Sequence, residues 1–382
     1  MAGLMKILVL NAGSSSLKFD LFEIAAEAGT ESDAKRLGHG AIERVSNMGD
    51  ALRKAFEQLG PALGGERIKA VGHRVVHGGD LFHEAVLIDN EVEKQIDALS
   101  VLAPLHNPHN LEAIRAARSH LPDAKQVAVF DTAFHHTMPP RAFAYGLPFE
   151  YLSVRKIRRY GFHGISHRYV SSRFAQLQAK APEEYRIITC HLGNGCSICA
   201  VDRGRSVDTS MGFTPLEGLL MGTRSGDLDP DVVLYLITHE RRSPEEVRRM
   251  LNNDSGLKGV SGISNDMRDI LAAAEQGNER ARLAFDVFCY RAKKYIGAYL
   301  AAMGGAEALV FTGGIGENSA PVREQICAGL EELGIRLDRT RNAQPGPGDC
   351  KISDSRVQIW VIPTNEELLI ARDTFHCISS IP

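Results

Sequence analysis

Hydrophobic and polar positions along the chain repeat with the spacings of both strands and helices. Residues 6–10 form an apolar run typical of a buried strand, and after the polar stretch NAGSSS (11–16) the pattern resumes as alternation over 17–22. This arrangement predicts a β-hairpin with a polar tip. The same arrangement recurs where strands predicted at 186–190 and 198–201 flank a second polar turn. One such unit opens each half of the chain, which indicates a duplicated fold.

Further strands and helices are predicted in both halves. Helices are expected at 48–59, 89–99, 110–119, 231–238, 244–252 and 279–303, with a short one at the C-terminus, and strands at 70–76, 126–130, 308–312 and 357–362. Strands mixed with helices in both halves predict an α/β protein. A length of 382 residues exceeds one ordinary domain of roughly 100 to 200 residues, so we expect two domains with a cleft between them. Their boundary is placed near Asp131.

Composition and cysteine usage exclude several kinds of partner. The formal net charge is −3, with 44% apolar and 24% charged residues, so no strong basic field is present to bind nucleic acid. The uninterrupted apolar run before Asn11 is only four residues long (7–10), and no stretch approaches about 18 apolar residues, so neither export nor membrane insertion is expected. The seven cysteines lack framework spacing, which indicates reduced thiols in the cytoplasm. Cys196 and Cys199 have C-x-x-C spacing, but they lie on a predicted strand, which disfavours a redox or metal role.

Three polar, glycine-containing turns follow three predicted strands. The turn at 11–16 has small residues whose backbone N–H groups can hold phosphate oxygens, and Lys18 lies on the following strand. It is not a Walker A loop, because G-x-x-x-x-G-K-[ST] is absent and a strand follows instead of a helix. Alone it reads equally well as an ordinary hairpin tip, but the turns at 191–197 and 313–318 match it in composition. Together they predict a nucleotide site.

Charged side chains stand at strand ends and beside glycines. Arg74 belongs to the segment that follows a buried strand, where its planar guanidinium can bind a carboxylate or phosphate or simply form a surface ion pair. Asp131 ends an apolar strand and reads either as a functional carboxylate or as a helix N-cap. His163 and Arg224 have glycine neighbours, which let a ligand approach the backbone closely.

Metal-binding patterns favour magnesium over zinc. The histidine pairs at 73/77 and 163/167 have H-x-x-x-H spacing, but neither has the glutamate of H-E-x-x-H. The first pair also sits on a predicted strand, where residues four apart are about 13 Å from each other. Magnesium needs only one or two protein oxygens together with phosphates and water. The glutamate pair at 366–367 can supply one.

The chain resembles one family closely, the acetate kinases of the acetate and sugar kinase, Hsp70 and actin superfamily. The matching motifs are LVLNAGSSSLK (8–18), GHRVVHGG (72–79), PLHNP (104–108), FDTAFH (130–135), YGFHGISH (160–167), HLGNG (191–195), DTSMGFTPLEG (208–218), RSGDLDP (224–230), GGIGEN (313–318) and TNEE (364–367). So many long matches in order make the resemblance specific. It implies two duplicated actin-like (ribonuclease H-like) α/β domains, 1–131 with 368–382 and 132–367. It also implies reversible, magnesium-dependent phosphoryl transfer from ATP to acetate by direct in-line displacement, giving acetyl phosphate and ADP.

The resemblance also implies which residues bind the nucleotide and the metal ion. Asn11 and Glu366 would lie around magnesium, with manganese as an alternative ion, and Lys18 would meet the phosphates. The phosphate loop is His191, Leu192, Gly193, Asn194 and Gly195. The residues that would frame adenosine are Asp266, Met267, Arg268, Gly314, Ile315, Gly316, Glu317 and Asn318.

For the acyl substrate, the resemblance implies that Arg74 binds the acetate carboxylate. The residues that would line the methyl pocket are Val76, Leu105 and Pro215. His163 and Arg224 would bind the phosphoryl group in flight, and Asp131 is the family's catalytic acid. One departure from the family pattern is Cys196, where alanine is expected. A homodimer is a further expectation carried over from the family.

The chemistry of acetate modifies the role expected of Asp131. Acetate resembles a glutamate side chain, whose pKa is about 4.3, so it is already ionised at neutral pH and needs no general base. We therefore expect Asp131 to orient Arg74 or a magnesium-bound water. One alternative is a propionate kinase of the same family, against which Val76 weighs slightly. Another is a non-catalytic actin-like nucleotide binder, which would leave the basic cluster of Arg74, His163 and Arg224 without a purpose. A sugar kinase is disfavoured because that cluster suits an anion better than a neutral polyol.

Overall fold

The structure is a computed structural model that describes residues 4–13, 16–25 and 34–380. It divides into two compact units, Met1–His136 with Asn365–Pro382, and Thr137–Thr364. The boundaries predicted from the sequence, at 131 and 368, lie a few residues from these limits. Two serines of the predicted polar tip at 11–16, Ser14 and Ser15, lie outside the described residues.

The first unit contains a six-stranded sheet. Its strands are β1 (Leu4–Ala12), β2 (Ser16–Ala25), β3 (Ala34–Glu43), β4 (Ala70–Val75), β5 (Val86–Leu87) and β6 (Lys125–Phe130). They lie in the order β3-β2-β1-β4-β6-β5, with β1, β2 and β3 antiparallel and β1, β4 and β6 parallel. The parallel strands therefore end at a common edge, where polar side chains that follow them are brought together.

The second unit repeats this topology. Its strands are β7 (Arg186–Leu192), β8 (Cys196–Asp202), β9 (Arg205–Thr209), β10 (Ala308–Thr312), β11 (Cys350–Lys351) and β12 (Gln358–Val361). An antiparallel meander β7-β8-β9 is followed by parallel β10 and β12, with β11 as an antiparallel edge strand. The predicted hairpins and the duplicated α/β fold are thus confirmed.

Helices cover the sheets. They are α1 (Met48–Leu63), α2 (Asn90–Ala98), α3 (Asn107–His120), α4 (Pro140–Phe143), α5 (Phe149–Ser153), α6 (Gly164–Leu177), α7 (Pro230–Thr238), α8 (Pro244–Asn253), α9 (Gly256–Ser261), α10 (Met267–Glu275), α11 (Glu279–Met303), α12 (Gly313–Asn318), α13 (Ala320–Cys327), α14 (Arg339–Ala343) and α15 (Glu366–Ser379). Helix α11 has the predicted bounds and contributes eight buried residues to the core. The C-terminal helix was expected to be short and has 14 residues.

The last helix packs directly on the first sheet because Gly72 of β4 has no side chain. A Cβ at Gly72 would lie 2.3 Å from Thr374 Oγ1 and 2.8 Å from Ile370 Cγ2, both on α15. This close approach holds the helix against the face of β4. As a result, the acidic N-terminus of α15, which begins at Glu366, belongs to the same unit as the ends of β1, β4 and β6.

One loop predicted from the sequence is a helix in the structure. Residues 313–318 form the short helix α12, because Gly313 turns the chain at φ 77° and its N–H donates to Glu317 Oε1 at 2.8 Å. All seven cysteines are free thiols, and the C-x-x-C pair lies on β8, as predicted. Across the part of the chain that the structure describes, no helix combines the length and apolarity needed to cross a membrane.

Candidate functional site

In the first unit, the ends of β1, β4 and β6 hold a charged cluster centred on Arg74. Its Nε and Nη2 donate to the two oxygens of Asp131 at 3.0 and 2.5 Å, and its Nη1 donates to Asn11 Oδ1 at 3.2 Å. Glu366 Oε2 lies 3.9 Å from Arg74 Nε. Asp131 therefore pairs with Arg74 and does not cap a helix, and the pair is buried, not a surface ion pair, since the Asp131 side chain is 1% exposed.

The charges of this cluster perturb one another. Burial raises the pKa of Glu366, and the negative charges of Asp131 and Glu367 raise it further, against the opposing attraction of Arg74. Burial also disfavours the charged form of Arg74, but Asp131 and Glu366 outweigh it and raise the pKa of the guanidinium. Arg74 is thus held permanently charged, with 21% of its side chain exposed, and remains partly available to an anion.

A second acid and a lysine extend the cluster along β2. Lys18 lies opposite Asn11 in the strand pairing and is exposed, so its ammonium is free to reach a phosphate. Asp20, two residues further on, accepts from Arg36 Nε at 3.0 Å. Burial raises the pKa of Asp20 to about 6, with Arg36 opposing and Glu367 adding to the shift. Sequence reasoning missed Asp20 because it reads as one polar position in an alternating strand.

The oxygens at this edge fit a magnesium ion. Asn11 and Glu366 present the hard amide and carboxylate oxygens that magnesium prefers. The carboxylates of Asp131 and Glu367 add negative charge near Glu366, which a divalent cation would relieve. Within the described residues, no three histidine, cysteine, aspartate or glutamate side chains form a metal cluster. Such a pair of oxygens is typical of a magnesium that is held mainly by substrate phosphates and water.

The three residues predicted to line an acyl pocket lie in different environments. Val76 follows β4, is 8% exposed, and its N–H donates to Asn110 Oδ1 at 3.1 Å. Leu105 is 53% exposed. Pro215 belongs to the second unit, where its carbonyl accepts a hydrogen bond from Arg224 Nη1 at 3.3 Å.

In the second unit, His163 is fixed at the start of α6. It adopts φ 55°, a left-handed conformation that is uncommon for a residue other than glycine. Its ring stacks on His191 of β7 with 4.3 Å between centroids, and its Nδ1 lies 2.9 Å from Ser197 Oγ of β8. A strained backbone with a fully restrained side chain is typical of a functional residue.

His163 and Arg224 converge on the space beside Gly195. A Cβ at Gly195 would lie 3.3 Å from His163 Nε2 and 3.6 Å from Arg224 Nη1. Glycine at this position therefore keeps open a space that two nitrogen donors face. Burial lowers the pKa of Arg224, with the charge of Cys196 opposing the shift. An anionic oxygen in this space would meet both donors and restore the balance of charge around the buried guanidinium.

A cavity of about 540 Å³ in the second unit gathers much of the predicted nucleotide site. The predicted residues that line it are Gly193, Asn194, Asp266, Met267, Arg268, Gly314, Ile315 and Asn318. Four further lining residues were missed, namely Asn265, Leu271, Ser319 and Pro321. Each lies within four positions of a predicted residue, and this proximity was the only signal in the sequence. The volume is ordinary for a small-molecule site.

Besides Lys18 of the first unit, five residues of the predicted nucleotide set do not line this cavity. Gly195 and His191 lie beside His163, as described above, while Leu192 and Gly316 are buried. Glu317 has a structural role, because its Oε1 accepts from the N–H groups of Gly313 at 2.8 Å and of Thr364 at 3.2 Å. These bonds fix the turn from β10 into α12, which presents Gly314 and Ile315 to the cavity.

Asp266 and Arg268 form an exposed pair at the start of α10. Asp266 Oδ1 accepts from the Arg268 N–H at 2.9 Å and caps the helix, and its Oδ2 pairs with Arg268 Nη2 at 2.5 Å. These hydrogen bonds lower the pKa of Asp266 to about 2. The guanidinium is 89% exposed, so it can pack against a ligand in the cavity while it remains tied to the aspartate.

A half-buried brace supports the loop that carries Pro215 and Arg224. Arg159 Nη1 donates to the carbonyls of Thr209 and Ser210 at 2.8 and 2.9 Å, and its Nη2 pairs with Glu217 Oε1 at 2.5 Å. Tyr145 donates to the other oxygen of Glu217. Sequence reasoning missed this brace, because its members are up to 72 positions apart.

Comparisons with known proteins point to one family. Residues 6–372 match the model of the acetokinase family. The chain is similar to the acetate kinase of Halothermothrix orenii, with 52% identity over 98% of the chain and 100% of that protein, and to that of Thermotoga maritima, with 50% identity over 99% and 100%. Among solved structures it is similar to Porphyromonas gingivalis acetate kinase, with a TM-score of 0.90 and 41% identity over 98% and 100% of the two chains. It is equally similar to a propionate kinase from Francisella tularensis, with a TM-score of 0.90 and 41% identity over 97% and 99%.

Proposed function

The chain belongs to the acetokinase family, and from that premise we propose how its residues carry out phosphoryl transfer. It is an enzyme that moves the γ-phosphoryl group of ATP to acetate, giving acetyl phosphate and ADP. The observation that carries the assignment of the transfer site is the convergence of His163 Nε2 and Arg224 Nη1 on the space that Gly195 leaves open. Two donors on one small space suit the charged equatorial oxygens of a phosphoryl group.

Arg74 is assigned to the acetate carboxylate. Its guanidinium is permanently charged, partly exposed and held in a fixed plane by Asp131, so it presents a preformed partner for a planar carboxylate. Acetate arrives ionised at neutral pH and attacks without a general base. Asp131 therefore acts by orienting Arg74. This role follows from its burial and from its two hydrogen bonds to the guanidinium.

The nucleotide is assigned to the cavity of the second unit. Main-chain groups of Gly193 and Gly314 and the start of α10 line it, and Lys18 supplies a mobile positive charge for the phosphates. Magnesium would be held by Asn11 and Glu366, where manganese can replace it, and it would neutralise charge on the phosphates. Transfer requires that the groups binding acetate and those binding ATP act on the same phosphoryl group, with attacking and leaving oxygens in line.

The acyl preference is acetate, with propionate as the competing substrate. Val76 is buried and β-branched and lies two residues after Arg74 in the chain, which supports a small acyl pocket. The Francisella tularensis structure, whose name states a propionate kinase, is as similar to this chain as the Porphyromonas gingivalis acetate kinase. One extra methylene changes binding by only about 1 to 3 kcal/mol, so we expect measurable activity with propionate.

The test is ATP-dependent formation of acyl phosphate, trapped as hydroxamate, with acetate, propionate and butyrate compared at equal concentrations. We expect product only when magnesium or manganese is present, with the highest kcat/KM for acetate. A higher kcat/KM for propionate would make the protein a propionate kinase that uses the same mechanism. Tight ATP binding without product from any of the three acids would refute the kinase function and favour an actin-like nucleotide binder.

A homodimer formed through α7 is part of the proposal, together with a cytoplasmic location. Helix α7 is apolar on all sides, yet none of its residues is buried, and Leu234 and Tyr235 are 56% and 55% exposed. A helix of this composition is normally covered by other protein. We expect Leu234→Glu to give monomers in light scattering, while Val101→Glu, at an 85% exposed site of the first unit, stays dimeric. A monomeric wild-type protein would contradict the dimer.

A further inference from the structure

A buried chain of hydroxyl and imidazole groups leads to His163. Ser197 Oγ lies 2.9 Å from His163 Nδ1 and 2.7 Å from His167 Nε2, and His167 Nδ1 lies 2.7 Å from Thr189 Oγ1. Ser197, His167 and Thr189 are all 0% exposed. Because these groups are not in contact with solvent, each of their protons must find its acceptor within the same set of hydroxyl and imidazole groups.

The donor-to-acceptor direction of these hydrogen bonds is fixed at Thr189, the group farthest from His163. Each hydroxyl has a single proton, and within the described residues His167 Nδ1 is the only side-chain partner of the Thr189 hydroxyl. If Thr189 accepted from His167, its own buried proton would be left without an acceptor, which costs about 1 to 3 kcal/mol. Thr189 therefore donates to His167 Nδ1, and neutral His167 carries its proton on Nε2.

The remaining two steps follow in order. His167 Nε2–H donates to Ser197 Oγ, so the Ser197 hydroxyl must donate its own proton to His163 Nδ1. A neutral imidazole that accepts at Nδ1 carries its proton on Nε2. A Cβ at Gly195 would lie 3.3 Å from both Cε1 and Nε2 of His163, so Nε2 borders the open space beside Gly195.

We infer that the relay Thr189–His167–Ser197 holds His163 as a neutral imidazole with its proton on Nε2, so that it donates a hydrogen bond to the phosphoryl group without carrying charge. This inference deepens the proposed function and rests on it for the identity of the acceptor. Ser197, His167 and Thr189 are positioning residues, since they act through His163.

The surrounding charges agree with a neutral ring. The titratable and charged side chains of the second unit that face His163 include His167 on its own helix, His191 on β7, which stacks on it at 4.3 Å, and Arg224. The partly buried Arg224 guanidinium on the far side of the Gly195 space disfavours a second positive charge nearby. Protonation of His163 at Nδ1 would in addition force the Ser197 hydroxyl to face two N–H donors.

Loss of the Ser197 hydroxyl has a pH-dependent consequence that a merely structural role would not have. In Ser197→Ala the proton of His163 is free to move to Nδ1, which leaves a bare Nε2 lone pair facing the phosphoryl oxygens. We expect kcat at pH 8 to fall about tenfold, the cost of one hydrogen bond to a charged group. Activity should recover as the pH falls below about 6.5, the ordinary pKa of imidazole, because the protonated ring again carries Nε2–H.

Two controls isolate the hydroxyl. Ser197→Thr keeps it and should restore the wild-type pH profile. Ser206→Ala removes another 0% exposed serine of the same sheet, one that lies on β9 and has its hydroxyl 3.3 Å from Cys199 Sγ, and should leave the profile unchanged. Thr189→Val keeps shape but removes the first donor, so it should shift the profile in the same direction as Ser197→Ala.

The direct test is ¹⁵N NMR of the protein labelled at histidine, with His163→Gln used to assign the His163 signals. We expect the Nε2–H tautomer in the wild-type protein from pH 6 to 8, and a titrating ring in Ser197→Ala. An Nδ1–H tautomer, or a cationic His163 in the wild type at pH 6 to 7, would overturn the inference. The spectrum does not depend on turnover: an Nε2–H ring in a protein that forms no acyl phosphate would uphold the relay and refute the proposed function.

Discussion

Replacing Asp131 by asparagine separates an orienting role from an acid–base role. The substitution keeps the size of the side chain but removes its charge and turns one of two acceptors into a donor that faces Arg74. A buried ion pair that loses one partner costs about 3 to 5 kcal/mol. Arg74 is 21% exposed and keeps its contacts with Asn11 and Glu366, so we expect a smaller cost of about 2 to 3 kcal/mol. This corresponds to a factor of about 30 to 150 in kcat/KM for acetate.

The loss should appear mainly in the KM for acetate, because the guanidinium remains charged but is no longer held in its plane. Steady-state kinetics with acetate varied at saturating ATP, from pH 6 to 9, measure it. The shape of the pH-rate profile should not change. Glu57→Gln is the matched control, since Glu57 pairs with Arg53 at the surface with both side chains about 60% exposed, where an ion pair contributes about 0 to 1 kcal/mol. A variant that binds acetate with unchanged KM but has lost turnover together with one titrating group would refute the orienting role.

Three further predictions follow from the geometry. Gly195→Ala places a Cβ 3.3 Å from His163 Nε2, so kcat should fall about tenfold or more while calorimetry finds ADP binding unchanged; an unchanged kcat would contradict the transfer site. Gly314→Ala projects into the nucleotide cavity but meets no atom within 4 Å, so the KM for ATP should rise roughly fivefold, about 1 kcal/mol, without loss of thermal stability; equal KM values would place ATP elsewhere. Because the pKa of Asp20 is raised to about 6, the folded state binds more protons than the unfolded state between about pH 4 and 6, and stability falls as the pH rises through that window. Asp20→Asn should remove about 1 to 2 kcal/mol of this dependence, allowing for solvent screening, when urea unfolding is compared at pH 4.5 and 7.

The local sequence pattern was enough to predict the helices and strands that have strong hydrophobic periodicity or clear end signals. The long helix at 279–303 has its predicted bounds because it combines an N-cap at Asn278 with a glycine C-cap at Gly304. Both hairpins follow from apolar runs interrupted by polar turns. Strand β3 was missed, because its sequence AKRLGHGAIE has two glycines and little alternation. Helix α6 was missed, because it begins directly after the left-handed His163, within a stretch that reads as a glycine-rich turn.

The site was predicted only in part, because its contacts join residues far apart in the chain. Arg74 and Asp131 were each singled out, and an orienting role of Asp131 toward Arg74 was expected, but the bidentate geometry follows from the parallel pairing of β4 with β6. The relay behind His163 joins positions up to 34 apart, and hydroxyl groups on strands carry no sequence signal of a partner. Glu317 looked like a ligand-binding residue since it lies in a glycine-rich motif, whereas the structure uses it to fix a turn.

The most direct test of phosphoryl transfer from ATP to acetate is ³¹P NMR of the enzyme with ATP, magnesium and acetate, in which all phosphorus products are seen together. We expect ADP and acetyl phosphate to form one for one, and we expect ATP to be stable when acetate is omitted. Arg74→Ala and Arg224→Ala, which alter the two units separately, should each slow both products equally. ADP formed together with inorganic phosphate at a rate independent of acetate would contradict transfer to acetate.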